Sequence, residues 1–228
     1  MARNARVVVP GIPHHVTQRG SRRQPVFFKE IDRLVYRRIL KKECEQFGVQ
    51  IWAYCLMENH IHLIAVPEKD NSLAKALGAA HQRYSRYINR REGWTGFLWQ
   101  GRFASFSMDE NYLLAAVRYV ERNPVEAKLV SRAEDYPWSS ARAHVLGDKD
   151  FLLSPCFLSE TIVDWAAFLF MEGDKEAERL VVEHSRAGLP LGDKEFIQRI
   201  QSQVGRPMVK QRSGPKRTIH SVPVTKCK

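Results

Sequence analysis

Hydrophobic and polar positions change period several times along this chain, and each change marks an element. The stretch "HHVTQRG" (14–20) alternates and ends in glycine, which predicts a strand. In "FKEIDRLVYRRILKKECEQFG" (28–48), Ile31, Leu34, Val35 and Ile39 recur at helical spacing before Gly48 closes the element. "VQIWAYCLM" (49–57) and "HIHLIAVP" (60–67) read as two strands, joined through Glu58 and Asn59 in the length of a tight hairpin. A helix is predicted from about Ser72 to Arg90, then a Gly/Trp-rich loop, then a fourth strand in "RFASFSM". Asp109 is a suitable N-cap for "ENYLLAAVRYVER", whose Leu113, Val117 and Val120 form a core stripe with Tyr112, Ala116 and Tyr119 beside it. Asn123-Pro124 is expected to end that helix, because the residue before a proline is pushed out of the helical region.

The order β-α-β-β-α-β predicts an α+β fold: a ferredoxin-like antiparallel four-stranded sheet with strands one and three central and both helices on one face. The other face is left for a further element or a ligand. Beyond residue 145 the pattern becomes helical, in "LSETIVDWAAFLFME", "DKEAERLVVEHSRAG" and "LGDKEFIQRIQSQVG". The expected organisation is a catalytic domain over 1–145, a small helical region over 146–204 and a basic, disordered tail over 205–228.

Composition narrows the class. The 228 residues carry a formal charge of +11 and a pI near 9.7. Residues 1–29 hold six basic and no acidic side chains, and residues 206–228 hold seven and none, so nucleic acid is the expected partner. No apolar run is long enough for a membrane span and no secretory signal is legible, so a cytoplasmic protein is expected. Cys44, Cys55, Cys156 and Cys227 stand far apart, against a disulfide framework or a zinc ribbon.

Within "MENHIHLIAVP" the spacing puts His60 and His62 on one strand face, opposite Ile61 and Leu63. Two imidazoles on one face suit a metal, although buried histidines that only bond backbone are commoner. Tyr119 and Asn123 are four apart, so they share a helix face if the last turn persists; otherwise Asn123 caps a short helix "PVEAKLV". His14, His15 and His81 are possible further contributors to a metal site but read rather as strand or surface histidines, His144 has no assigned role, and Trp52, Trp138 and Trp165 read as core.

"MENHIHL", "LWQGRF", "AVRYVERNPVEAKLV" and "YPWSSARAH", in this order across residues 7 to about 145, resemble the REP-associated tyrosine transposases, which belong to the HUH-type single-strand DNA transposases. The resemblance implies that His60 and His62 are metal ligands, that Tyr119 is the nucleophile and that Asn123 is the third ligand. It also implies Mg²⁺ or Mn²⁺ as cofactor. Glu58 is a departure, since relatives often carry proline before the Asn-His pair. These residue types suit phosphodiester exchange: a phenol attacks, and neutral ligands leave a divalent ion its full charge for a phosphate oxygen.

For DNA contact, "QRGSRRQ" offers Arg19, Arg22 and Arg23 in the loop after the first strand, and "HQRYSRY" offers Arg83 and Arg86. Arg102 lies beside Trp99, and Trp99 and Phe103 read either as a stacking platform or as core. The tail adds Lys210, Arg212, Lys216 and Arg217, the last two in a Gly-Pro-basic segment that longer relatives also carry. The expected activity is nicking and strand transfer on single-stranded or hairpin DNA by a monomer or homodimer. A hairpin-binding protein without cleavage, and a hydrolase that activates water, are the alternatives.

Overall fold

A computed structural model describes residues 6–171, 173–205 and 208; Lys210, Arg212, Lys216 and Arg217 of the tail lie outside the described residues. The elements run β1 (His14–Arg19), α1 (Glu30–Phe47), β2 (Val49–Leu56), β3 (His60–Pro67), α2 (Ser72–Glu92), β4 (Ala104–Ser107) and α3 (Glu110–Glu126). After them come α4 (Ala141–Leu146), α5 (Leu158–Thr161), α6 (Trp165–Phe170), α7 (Lys175–Ala187) and α8 (Lys194–Val204). The strands form one antiparallel sheet in the order β2-β3-β1-β4, so β1 and β3 are central as the ferredoxin-like reading predicts. Among the described residues no helix is long and apolar enough to cross a membrane.

Strand alternation sends side chains to two cores. Val16, Ile61 and Leu63 pack with Leu40, Leu77 and Tyr84 under α1 and α2. Ile64, Val66 and Phe106 pack with Leu113, Val117 and Val120 of α3 and with Val181 of α7. The second sheet face, expected to be free of the first two helices, is therefore roofed by α3 and α7. Residues 146–204 are built onto the sheet: α7 packs there, and α8 packs on Val7 and Val9 of the amino-terminal segment.

Three expectations about helices need correction. Helix α1 forms, but its buried stripe is Asp32, Tyr36, Leu40 and Cys44, while Ile31 faces solvent. Polar partners make that face viable: Asp32 accepts from the Phe28 and Lys29 backbone N–H groups at 2.8 and 2.9 Å and pairs with Arg91, and Tyr36 meets His81 at 3.0 Å. Helix α3 does not stop at Asn123; it runs through Pro124 to Glu126, and Lys128 turns left-handed at φ 58°. Pro124 gives up the bond to the Val120 carbonyl and crowds it, a cost that burial of both side chains in the core offsets. "LSETIVDWAAFLFME" is broken in two because Asp164 caps α6, accepting from Ala167 N–H at 2.8 Å.

His14, His15 and His81 are all buried, so none is a surface histidine. Burial lowers them, to about 4 for His14 and about 3 for His15 and His81. Depressed folded values mean that the unfolded chain binds more protons below its ordinary value near 6.5, so stability is complete above that pH and falls with acidification. Melting temperature of the metal-free protein is expected to be flat from pH 8 to 7 and to drop from pH 6.5 to 5, a window in which ordinary carboxylates stay ionised. The limiting slope is about 1.4 kcal/mol per histidine per pH unit. A flat profile across that window contradicts the assignment. Asp32→Ala is expected to cost about 2 to 3 kcal/mol in urea unfolding, since it leaves two helix-start donors without their acceptor, while Arg91 keeps Glu92 as a partner.

Candidate active site

Register across the central pair sets the site. Thr17 faces His62 and Arg19 faces His60 across β1 and β3, and His15 lies diagonally from His62. Thr17, Arg19, His60, His62, Gln100, Arg102, Tyr119 and Ser185 line a cleft of about 370 Å³ that contains no carboxylate, with His15 behind His62. The rings of His60 and His62 lie 4.9 Å apart, and Tyr119 stands edge-on to His62 at 5.4 Å and to His15 at 5.9 Å, centroid to centroid. Asn123, one turn after Tyr119 on α3, has its amide near the His60 ring, and because α3 continues to Glu126 it is not the cap of a following helix.

Hydrogen-bond donors decide the tautomer of each histidine. The Ser185 hydroxyl donates to the Val181 carbonyl at 2.8 Å, so toward His15 Nδ1, at 3.0 Å, its oxygen accepts. His15 therefore carries its proton on Nδ1 and offers a lone pair on Nε2, which sits 2.9 Å from His62 Nδ1. It follows that His62 donates from Nδ1 and keeps its own lone pair on Nε2. At His60, the Asn59 amide nitrogen donates to the Arg23 carbonyl at 3.1 Å, leaving its oxygen to accept from His60 Nδ1 at 2.6 Å. Both strand histidines thus present Nε2 lone pairs. Burial, reinforced by Arg19, lowers His60 to about 4; burial, with the His15 and His60 rings and Arg19, holds His62 well below the imidazole range.

That donor set fits a divalent cation. Among the described residues no cluster of three or more His, Cys, Asp or Glu side chains could hold one. His15 has both ring nitrogens engaged, so the His60 and His62 imidazoles and the Asn123 amide are the neutral donors that could hold one.

The helix bearing Tyr119 is anchored from below. Buried Glu121 accepts from the Ser140 hydroxyl and, at 2.7 Å, from His144 Nδ1, and His144 stacks on Trp165 at 4.1 Å. The Ser140 hydroxyl oxygen also accepts from the Tyr54 backbone N–H of β2 at 2.9 Å. "YPWSSARAH" is therefore a clamp between α3 and the sheet, and it gives His144 its place.

The expected DNA-contact residues separate. Arg19 and Arg102 line the cleft, while Arg22, Arg86, Arg102 and Trp99 line a neighbouring groove. Arg23 is exposed, and Arg22 and Arg23 hold the left-handed conformation at φ 55° and 63°. Arg83 lines neither the cleft nor the groove; its Nε pairs with buried Glu43 at 2.9 Å. Trp99 and Phe103 are core, and Trp99 packs on His81 at 4.7 Å. Sequence reasoning missed Ser185 and Asn59 as parts of the site and held His15 only as a possible contributor. Pairing of the first and third strands could have revealed His15, since its alternation matches the histidine pair; nothing in the sequence marks Ser185.

Residues 8–123, more than half of the chain, match the family described as Transposase IS200 like. A curated Haemophilus influenzae protein, provisionally described as a REP-associated tyrosine transposase, is 28% identical over 116 residues, covering 46% of this chain and 66% of that one. The match therefore spans just under two thirds of that relative. A solved structure of a REP-associated tyrosine transposase bound to a REP hairpin superposes with a TM-score of 0.56 at 19% identity, covering 68% of this chain and 93% of the other, a likeness of fold. On the breadth of the family match, the chain belongs to the IS200-like transposase family.

Proposed function

We propose that this protein nicks single-stranded DNA at hairpin-forming repeats and transfers the cut strand through a covalent bond to Tyr119. The observation that carries the reading is the convergence of a phenol, two neutral imidazoles with Nε2 lone pairs and two arginines in one cleft without carboxylates. In the proposed step the Tyr119 oxygen forms a bond to phosphorus, the phenol loses its proton, and the bond to the leaving sugar oxygen breaks. That oxygen ends as a hydroxyl. The resulting phosphotyrosine ester keeps the phosphodiester's free energy, so a later DNA hydroxyl can reverse the exchange and rejoin strands.

His60, His62 and Asn123 would hold a divalent ion, which when bound supplies positive charge to a phosphate oxygen and orients the strand. Imidazole donors suit Mn²⁺ better than Mg²⁺. Arg19 and Arg102 would receive neighbouring phosphates. His15 and Ser185 would orient His62 through its Nδ1–H. The neighbour's hairpin supports a DNA substrate by family likeness.

Tyr119→Phe keeps the ring and deletes the hydroxyl, so in a denaturing gel with labelled hairpin DNA and Mn²⁺ it is expected to abolish both the nick and the covalent adduct while binding persists. Tyr112→Phe, on the same helix, should retain the adduct. A wild-type protein that binds hairpins without nicking them would instead be a recognition module; nicking that survives Tyr119→Phe would indicate water as the nucleophile. His60→Ala and His62→Ala are expected to eliminate cleavage, with Asn123→Ala milder because water can replace a neutral oxygen. In a separate titration, Ser185→Ala should weaken Mn²⁺ binding by about 10-fold or more, as expected when an outer partner of a ligating histidine is lost. Unchanged Mn²⁺ affinity would remove Ser185 from the site.

A further inference from the structure

Helix α6, "WAAFLF", is apolar on both of its sides and lies outside the residues that match the transposase family. One side is buried: Trp165 packs in the core beneath α3, and Leu169 packs on Ala133 and Ala141. On the other side Ala166 and Phe170, four apart, share a face, and Val163 and Met171 flank the helix. Val163 is 94% exposed, Phe170 84% and Met171 62%, so no described residue covers this face. Helices that are apolar all round are ordinarily buried. Beside Phe170 lies a pocket of about 380 Å³ whose apolar lining comes from Val125, Ala133, Ala166, Ala167 and Leu169. Arg122 and Arg132 also line it, and each has a carboxylate partner: Glu126 at 3.1 Å for the first and Glu134 for the second. The face is presented from a fixed position, because Arg118 Nε donates to the Phe168 carbonyl at 2.9 Å, Arg122 donates to the Leu169 carbonyl, and Trp165 stacks on His144.

We propose that this face joins two copies of the chain, with Phe170 of each copy seated in the α6 pocket of the other. A projecting aromatic and an apolar pocket stand side by side here, and a two-fold axis brings each against its counterpart. Any other partner would have to carry both shapes itself. Charge selects the same face. At a formal +11 two copies repel, and their arginine-lined clefts and grooves cannot meet. Around α6 the arginines are already paired with Glu126 and Glu134, so two copies can approach there at little electrostatic cost. Phenylalanine, methionine and arginine around an apolar centre are also the residues in which interface cores are enriched. This pairing goes beyond the DNA reading and stands without it.

Sedimentation equilibrium of the full chain without DNA, over a concentration series, tests this. Wild type is expected to form a dimer that dissociates on dilution. Phe170→Asp removes the projecting ring, and Ala166→Trp fills the pocket while leaving Phe170 in place. Both positions are exposed, so the melting temperature should hold. Each substitution is expected to raise the dimer dissociation constant by about 30-fold or more, as when an interface hot spot is lost. Phe97→Asp, at a residue that is 93% exposed on the loop after α2, should leave the dimer intact. A wild type that stays monomeric throughout, or a dimer that survives both α6 substitutions, overturns the proposal. Weakening by Phe170→Asp alone would mean an adhesive ring without a pocket to receive it, and equal weakening by Phe97→Asp would mean non-specific association; either result also sinks it. Cleavage of hairpin DNA through Tyr119 is decided separately, by the gel assay.

Discussion

The antiparallel pairing of β1 with β3 decides the face to which each residue of the site points. Because side chains alternate, a slip of one residue would turn His60 and His62 toward α1 and α2 and bring Ile61 and Leu63 out beneath α3. The register is held by the Gly20 N–H bond to the Asn59 carbonyl at 2.8 Å and by the burial of Val16, Ile61 and Leu63 on the opposite face. Apolar packing on one side of the sheet thus fixes the position of polar chemistry on the other. His15 follows from the same constraint, since its place on β1 brings its ring against His62.

Three histidines at the centre of a sheet would be a liability if any were charged. Burial keeps them neutral, and neutrality lets one ring accept from the next. The relay from Ser185 through His15 to His62 ends on a free Nε2, and the Arg23-Asn59-His60 chain ends on another. Low dielectric makes such a network costly to leave half satisfied, which explains why α7 covers this face and contributes a hydroxyl to it. Tyr119 is placed by a second buried network, the Glu121 clamp, on the inner side of α3.

Outside the core the charge pattern takes over. Cleft and groove are lined by Arg6, Arg19, Arg22, Arg86 and Arg102 and by no carboxylate, so part of the chain's positive excess gathers on these adjoining surfaces. Such a surface raises the local concentration of a polyanion before any specific contact forms, and its effect declines with salt.

Much of this was legible in the sequence. Period-two and period-3.6 patterns mark the six elements of the ferredoxin-like unit, the hairpin turn is set by two residues, and Asp109 caps α3 by donor geometry alone. Those are local properties, and they placed His60, His62 and Tyr119 on their elements. Four apolar residues on α1 did not reveal its buried face, because Asp32 and Tyr36 are buried by partners far along the chain, Arg91 and His81. Asn123-Pro124 read as a helix end because the rule for residues before proline is statistical, and packing of Val120 and Pro124 carried α3 through it. The meeting of His15 with Ser185 depends on residues 170 positions apart. Alternation and capping act over a few residues and are written in the sequence, whereas tautomers, buried charges and the roofing of a sheet depend on which distant groups exclude water together, and tertiary packing alone decides that.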